Sequence, residues 1–124
     1  IMKKEIMTKA VLQGDANARG VLFGGRLMSW MDELSGVTAF RYAQGDVATV
    51  AVEKVAFLLP IPVGAFIDIT AEVVYVGNTS LRVEMNVWLD QHDGKNVLAG
   101  KAEFVYVALD EQGKPRKIVR AEEE

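Results

Sequence analysis

The chain has 124 residues, half of them hydrophobic and a quarter charged, which is the composition of one globular domain spanning residues 1–124. Its 17 acidic residues outnumber 14 basic ones and no basic block occurs, so a nucleic-acid partner is not expected. The sequence contains no cysteine, which excludes disulfides, thiolate nucleophiles and cysteine-bound metals.

The first predicted elements are a strand and a long helix. Residues 5–12 are a strand candidate, and a turn-rich loop follows them. Residues 24–43 contain no proline, carry good helix formers and end near Gln44 and Gly45, which predicts a helix of about five turns. Apolar side chains point nearly all the way round this helix, so we expect other elements to cover most of its faces.

Four further strands are predicted after the helix. Residues 47–59 are β-rich and stop at two prolines, which cannot donate to a central ladder. Residues 67–75 and 81–89 alternate apolar and polar side chains and are linked by a short turn, which predicts a hairpin with one covered face. Residues 97–109 continue the antiparallel meander through a second turn that contains Asp-Gly.

The sequence predicts neither a membrane span nor a secretory signal. No stretch approaches the roughly 20 apolar residues that span a bilayer. The first residues, IMKKEIM, are too short and too charged for the core of a secretory signal, so a cytoplasmic location is expected. The charged residues 114–124 are expected to lie in solvent.

These patterns together predict an α+β architecture in which one long central helix is wrapped by an antiparallel sheet of five to six strands. The strands need a cover on one face and the helix needs a wrapper, so a single sheet around a single helix satisfies both. Such a sheet leaves open edges, which predicts pairing with a second copy and at least a dimer.

Only a few residues are candidates for chemistry. The single histidine, His92, lies in a predicted turn, where the simplest interpretation is an exposed turn residue, so a histidine triad or histidine zinc site is not expected. Asp32 falls inside the helix among small and apolar neighbours, where a carboxylate would lose hydration. The alternative for Asp32 is a paired or simply exposed carboxylate at the edge of the core.

Two features precede Asp32 in the sequence. Gly24 and Gly25 open the helix, so free backbone amides and the positive end of the helix dipole lie where no side chain blocks access, which suits an oxyanion site. The pair could equally be a flexible entry to the helix. Asp15 and Asn17 lie in the preceding loop, where either could serve only to fix a local turn.

Taken together, the segment GDANARGVLFGGRLMSWMDE, with VEKVAFLLPIPVG, VGNTSLRVE and FVYVALDEQGKP further on, resembles the hot-dog-fold acyl-CoA thioesterases of the YciA and brain acyl-CoA hydrolase type. The resemblance covers residues 8–116. It implies a hydrolase that cleaves acyl-CoA to free coenzyme A and a carboxylic acid, with no metal and no cofactor beyond the coenzyme A of the substrate.

The resemblance also implies roles for individual residues. Asp32 would be the catalytic carboxylate, and the Gly25 amide in the helix of the same chain would be the oxyanion donor. Asn17 of the facing subunit would be the partner of Asp32. The site would then lie at a dimer interface and a monomer would be inactive. Tetramers and hexamers are both expected from the family. Contacts to the substrate are implied for Phe23, Gly24 and Phe57, and contacts to the nucleotide end of coenzyme A for Gly77, Asn78, Thr79 and Ser80.

Three points remain open from the sequence. Phe23 stands where relatives have histidine, so a mechanism assisted by that imidazole is not expected. Asp32 could activate water or attack the thioester directly. The alternatives to a hydrolase are a non-catalytic acyl-CoA binder and a hot-dog dehydratase, of which the second needs a histidine near the helix.

Overall fold

The computed structural model describes residues 4–119 and consists of one long helix packed across one face of a five-stranded antiparallel sheet. The sheet order is β1-β3-β4-β5-β2, so β1 and β2 are the two edges. The elements are β1 (Glu5–Ala10), a 3-10 turn (Gln13–Asp15), α1 (Gly24–Ala43), β2 (Val47–Phe57), β3 (Phe66–Val76), β4 (Ser80–Asp90) and β5 (Asn96–Ala108). The predicted fold class is confirmed.

The alternation of the central strands sets which face meets the helix. In β4 every second side chain, from Leu81 to Leu89, is buried, and the intervening residues, which are polar except for Trp88, lie on the opposite face. The same holds for β3 from Ile67 to Val73. These residues, with the buried face of α1, form the main hydrophobic core of the chain.

The sheet covers only one side of α1. The buried side includes Leu27, Met31 and Leu34, but Val37 and Phe40 on the other side are 44% and 50% exposed. The expectation that most faces of the helix are covered is therefore wrong for a single chain. An open five-stranded sheet provides one layer only, so nothing within the described chain packs on the far side of α1.

Strand β2 is a long edge with exposed apolar side chains. Val50, Val55 and Phe57 are all exposed, although β2 pairs with β5 along its length. The pairing with β5 shifts register twice, and Lys54 in the second irregular stretch has a φ of 56°, in the left-handed region. The edge is thus eleven residues long, partly apolar and locally twisted.

The polar face of the sheet carries a small ion network beside β2. Arg82 Nη1 lies 2.6 Å from Glu53 Oε1 and 2.8 Å from Glu103 Oε2, and Lys54 Nζ lies 3.6 Å from Glu103 Oε1. The hydrogen bond from Arg82 and its positive charge lower the pKa of the Glu53 carboxyl.

The segment after β5 packs back onto the end of the helix. Gln44 ends α1 in the left-handed conformation, and Arg116 Nη2 donates to the carbonyl of Ala43 at 2.7 Å. Ile118 is 3% exposed and belongs to the core. The predicted solvation of residues 114–124 is therefore wrong at Arg116 and Ile118, because these two side chains cap the helix and fill the core, and residues 120–124 lie outside the described part.

Candidate active site

The loop before α1 is fixed by Asp15. Its Oδ2 accepts the Leu12 N–H at 3.0 Å, its carbonyl accepts the Phe23 N–H at 3.0 Å, and its Oδ1 lies 3.4 Å from Arg26 Nε. One residue therefore ties both ends of the loop to the first turn of the helix. Asp15 has the structural role that the sequence allowed for it.

Asn17 lies in the same loop, and its two side-chain atoms have different surroundings. The carbonyl Oδ1 accepts the backbone N–H groups of Arg19 at 2.9 Å and Val21 at 3.2 Å, which holds the loop in a turn. The side-chain NH₂ makes no hydrogen bond within residues 4–119. Asn17 therefore fixes the turn with its oxygen and keeps its two N–H donors available.

A groove of about 340 Å³ opens between this loop, the start of α1 and the end of β2. Asn17, Gly24 and Phe57 line it together with Leu27, Leu58 and Ile61. A Cβ at position 24 would lie 3.3 Å from Phe57 Cζ, closer than an ordinary contact, so a glycine lets the phenyl ring cover the helix start. The predicted substrate contact Phe23 lies outside this lining, and its side chain is exposed.

The first backbone amides of α1 have no acceptor in the helix. Intrahelical hydrogen bonding begins with the Leu27 N–H to the Phe23 carbonyl at 3.1 Å, and Phe23 supplies no side-chain cap. Gly24 itself lines the groove. A Cβ at Gly25 would meet nothing within 4 Å, so the space beside this residue is open. The helix start thus presents donors at its positive end, without a side chain in the way.

Asp32 lies two turns further along α1, in contact with three hydroxyl-bearing residues. Its Oδ1 accepts the Thr49 hydroxyl at 3.2 Å and lies 3.4 Å from the Tyr106 hydroxyl, while its backbone carbonyl accepts the Ser35 hydroxyl at 3.2 Å. The side chain is exposed in the single chain. Of the two alternatives that the sequence left open for Asp32, a single chain shows the exposed carboxylate at the edge of the core, because only β2 and β5 approach it and its other side is open.

Tyr106 is buried beneath Asp32, and its environment keeps the hydroxyl protonated. Burial raises the pKa of Tyr106 above its ordinary value, and the nearby negative charge of Asp32 acts in the same direction. Hydrogen bonds with Ser35 and Thr49 act against this shift without reversing it. Tyr106 is consequently a hydrogen-bond donor at neutral pH and not a phenolate.

The predicted site residues fall into separate groups within one chain. Asn17, Gly24 and Phe57 share the groove, whereas Asp32 lies eight residues from Gly24, about 12 Å along the helix. The turn of Gly77, Asn78, Thr79 and Ser80 belongs to neither group, and its last residue, Ser80, pairs with Val107, which is next to Tyr106 in β5. His92 is exposed in the turn between β4 and β5.

Three residues near Asp32 were not identified from the sequence. Thr49 and Tyr106 are directly opposite in the pairing of β2 with β5, so both point at the helix from neighbouring strands. This register cannot be read from the sequence, because β2 and β5 are separated by two strands along the chain. Ser35 was expected only as one of the small neighbours of Asp32 on the helix, and its hydrogen bonds were not predicted.

Residues 4–119 contain no helix that is long and apolar enough to cross a bilayer. The same part of the chain contains no cluster of three or more histidine or acidic side chains placed to bind a metal ion.

Comparisons with known proteins agree on the family. The model of the thioesterase superfamily matches residues 19–94. The acyl-CoA thioester hydrolase YciA of Salmonella typhimurium is 38% identical over 117 residues, which cover 91% of this chain and 88% of the relative.

Solved structures give the same result. An acyl-CoA hydrolase from Staphylococcus aureus, in complex with butyryl coenzyme A, coenzyme A and coenzyme A disulfide, matches with a TM-score of 0.91 at 33% identity, over 94% of this chain and 72% of its own. Three variants of that enzyme, each with one aspartate, asparagine or threonine replaced by alanine, match equally well. A hexameric thioesterase from Yersinia pestis matches with a TM-score of 0.87 at 36% identity, over 94% of this chain and 97% of its own. The predicted family is confirmed: the chain belongs to the thioesterase superfamily.

Proposed function

We propose that this protein hydrolyses acyl-CoA thioesters and that Asp32 is its catalytic carboxylate. Relatives that match most of the chain bear the name acyl-CoA thioester hydrolase. One observation carries the assignment to this site. The asparagine, aspartate and threonine replaced in the S. aureus hydrolase are 15 and 17 residues apart in its numbering, the spacing of Asn17, Asp32 and Thr49 here.

The surroundings of Asp32 suit the chemistry. Its carboxylate has hydroxyl donors on one side, is open on the other, and makes no salt bridge within residues 4–119. It can therefore take a proton from a water molecule that attacks the thioester carbon, or attack that carbon itself to give an anhydride. In the first route the C–S bond breaks and the proton that Asp32 took from water passes to the departing sulfur, so coenzyme A leaves as the thiol. In the second route the departing sulfur takes a proton from water, and a second water molecule hydrolyses the anhydride, which releases the carboxylic acid and restores Asp32.

The groove supplies donors for the thioester carbonyl. Negative charge develops on this oxygen as the carbon becomes tetrahedral, and the amides of Gly24 and Gly25 are free to stabilise it. The side-chain NH₂ of Asn17 opens into the same groove as Gly24. Since the Asn17 oxygen is used in the loop, Asn17 acts as a donor to the substrate or to water.

A dimer brings the two groups of residues together. Thr49 lies near the start of β2, and Phe57 ends it about 25 Å away. Two β2 edges placed antiparallel about a twofold axis set the Phe57 end of one strand beside the start of the other. The groove of one chain, with Asn17 and Gly24, then faces Asp32 of the partner subunit. Gly24 and Gly25 thus act with Asn17 and not with the Asp32 of their own chain.

The turn formed by Gly77, Asn78, Thr79 and Ser80 is proposed to hold the nucleotide end of coenzyme A. The Thr79 carbonyl accepts the Ala108 N–H at 2.9 Å, so the turn is anchored to β5. Within residues 4–119 no hydrogen bond engages the side chains of Asn78, Thr79 or Ser80. An anchored turn with free hydroxyl and amide donors is suited to phosphate groups.

The oligomer is proposed to be larger than one dimer. A relative from Yersinia pestis is hexameric, and the uncovered side of α1 gives this chain a further apolar surface. Light scattering of the pure protein distinguishes dimer, tetramer and hexamer. The cytoplasmic location and the absence of a nucleic-acid partner stay predictions.

The test of the function measures release of coenzyme A with a thiol reagent from acyl-CoAs of increasing chain length. The wild type releases coenzyme A, and Asp32→Asn loses at least about 100-fold in kcat. Asp68→Asn is the matched control, because Asp68 also accepts a threonine hydroxyl, that of Thr8 at 2.7 Å, but lies on the other face of the sheet. Binding of acyl-CoAs without turnover by the wild type would establish a binder instead, and full activity of Asp32→Asn would refute the role of Asp32.

A further inference from the structure

Two buried hydroxyl groups lie behind Asp32, on the side away from solvent. Tyr106 is 2% exposed and Ser35 is fully buried, and their oxygens are 2.6 Å apart. The Tyr106 hydroxyl also lies 3.4 Å from both the Oδ1 and the backbone carbonyl of Asp32. The Ser35 hydroxyl lies 3.2 Å from that same carbonyl. The three residues form one continuous hydrogen-bonded cluster.

The cluster has two proton arrangements. In the first, Ser35 donates to the Tyr106 oxygen and Tyr106 donates to the Asp32 carboxylate. In the second, Tyr106 donates to Ser35 and Ser35 donates to the Asp32 carbonyl, so that the Tyr106 oxygen is left as an acceptor. The first arrangement stabilises the ionised Asp32 carboxylate, because Tyr106 donates to it. In the second, the Tyr106 oxygen can accept a hydrogen bond from the Asp32 carboxyl once that carboxyl is protonated. Every hydroxyl keeps its own proton in both.

The packing of this region does not require these hydroxyls. The neighbouring side chains of β5 that face the helix are apolar, as at Ala102, Phe104 and Ala108. A phenylalanine at 106 and an alanine at 35 would fill nearly the same space without any polar group to satisfy. Burying two hydroxyls in such a core is unfavourable unless each is hydrogen-bonded, so their one evident use is the contact with Asp32.

We infer that Tyr106 and Ser35 are positioning residues that orient the Asp32 carboxylate. During thioester hydrolysis the Tyr106 hydroxyl donates to this carboxylate while it is ionised and accepts from it while it is protonated. This inference rests on the proposed role of Asp32. Both side chains are buried, so they act on the carboxylate and not on the substrate. The pair acts from beneath the carboxylate, while Thr49 holds the same oxygen from the side at 3.2 Å.

The test compares Tyr106→Phe with the wild type in the pH dependence of kcat and kcat/KM for a hydrolysed acyl-CoA. We expect kcat to fall by about ten- to a hundredfold with little change in KM, because only the carboxylate is affected. The acidic limb of the profile moves to higher pH, because the ionised carboxylate loses a donor. A purely structural role of the hydroxyl would change stability without moving this limb.

Tyr42→Phe is the matched control. Tyr42 lies on the same helix as Asp32, packs against the core, and its hydroxyl makes no hydrogen bond within residues 4–119. This variant loses the same atom and is expected to keep the wild-type rate and pH profile. Ser35→Ala is the second test, since it retains Tyr106 and removes only the serine hydroxyl that is hydrogen-bonded to the Tyr106 hydroxyl. It is expected to lower kcat severalfold and to move the acidic limb in the same direction.

The outcomes separate this inference from the proposed function. If Asp32→Asn is inactive while Tyr106→Phe and Ser35→Ala, folded and oligomeric like the wild type, keep its kcat and pH profile, the positioning role is refuted and the function stands. If Asp32→Asn is fully active, the proposed function fails and the inference fails with it. Loss of kcat in both hydroxyl variants together with the shifted acidic limb supports the positioning role.

Discussion

Thr38 offers a quantitative test of the packing between α1 and the sheet. Its side chain is 4% exposed, and its hydroxyl is the one buried side-chain polar atom within residues 4–119 that has no hydrogen-bond partner. An unsatisfied buried hydroxyl costs about 1–3 kcal/mol, and valine has nearly the same shape and helix propensity. We expect Thr38→Val to increase the free energy of unfolding by about 1–2 kcal/mol.

The assay is thermal unfolding at fixed protein concentration, because oligomerisation makes the midpoint depend on concentration. For a chain of 124 residues, the expected gain in the free energy of unfolding corresponds to a rise of about 3–8 °C in the unfolding midpoint. Thr38→Ser is the control, since it keeps the hydroxyl and removes the methyl group. Its free energy of unfolding should be about 1 kcal/mol lower than that of the wild type. A lower midpoint for Thr38→Val would mean that the hydroxyl has a partner, for example a carbonyl one turn earlier in the helix.

Two further predictions concern the site and the ion network. Thr49→Val removes the hydroxyl donor 3.2 Å from Asp32 Oδ1, so kcat should fall about tenfold while the unfolding midpoint stays unchanged. A kcat equal to that of the wild type would show that catalysis does not depend on this hydrogen bond. Arg82→Met should destabilise the protein at pH 7. Arg82 lowers the pKa of Glu53 in the folded state, so the ion pair stabilises the folded protein fully at pH values above 4.5, the ordinary pKa of this carboxyl. This stabilisation is lost as the pH falls through the lowered pKa of the folded state. The difference in urea midpoint between variant and wild type should therefore narrow in acid, and a constant difference would contradict the linkage.

The sequence predicted the elements that rest on local patterns. Residues 24–43 were predicted as the helix because they contain no proline, carry good helix formers and are followed by Gln44 and Gly45. Strands β3 and β4 follow from alternation of apolar and polar residues, and β5 follows from the Asp-Gly turn that joins it to β4. The order of the sheet could not be read, because β1 pairs with β3 and β2 pairs with β5 across long stretches of chain. Alternation identifies a strand but not its neighbour.

The site divides in the same way. Asn17, Gly24 and Asp32 were found because they lie in one segment of sequence whose pattern resembles a known family. Thr49 and Tyr106 were missed because they reach Asp32 through the pairing of β2 with β5. The sequence left the exposure of Asp32 open between two alternatives, because a helical wheel shows which neighbours share a face but not which faces remain uncovered.

The central claim is that each active site combines Asn17 of one chain with Asp32 of another. Asn17→Ala and Asp32→Asn are each expected to be inactive when expressed alone. When the two variants are coexpressed in equal amounts, half of the dimers contain both chains and have one intact site of two, so about a quarter of the wild-type rate should return. A coexpressed mixture that is no more active than either variant alone would place both residues in a site formed by a single chain and would contradict this account.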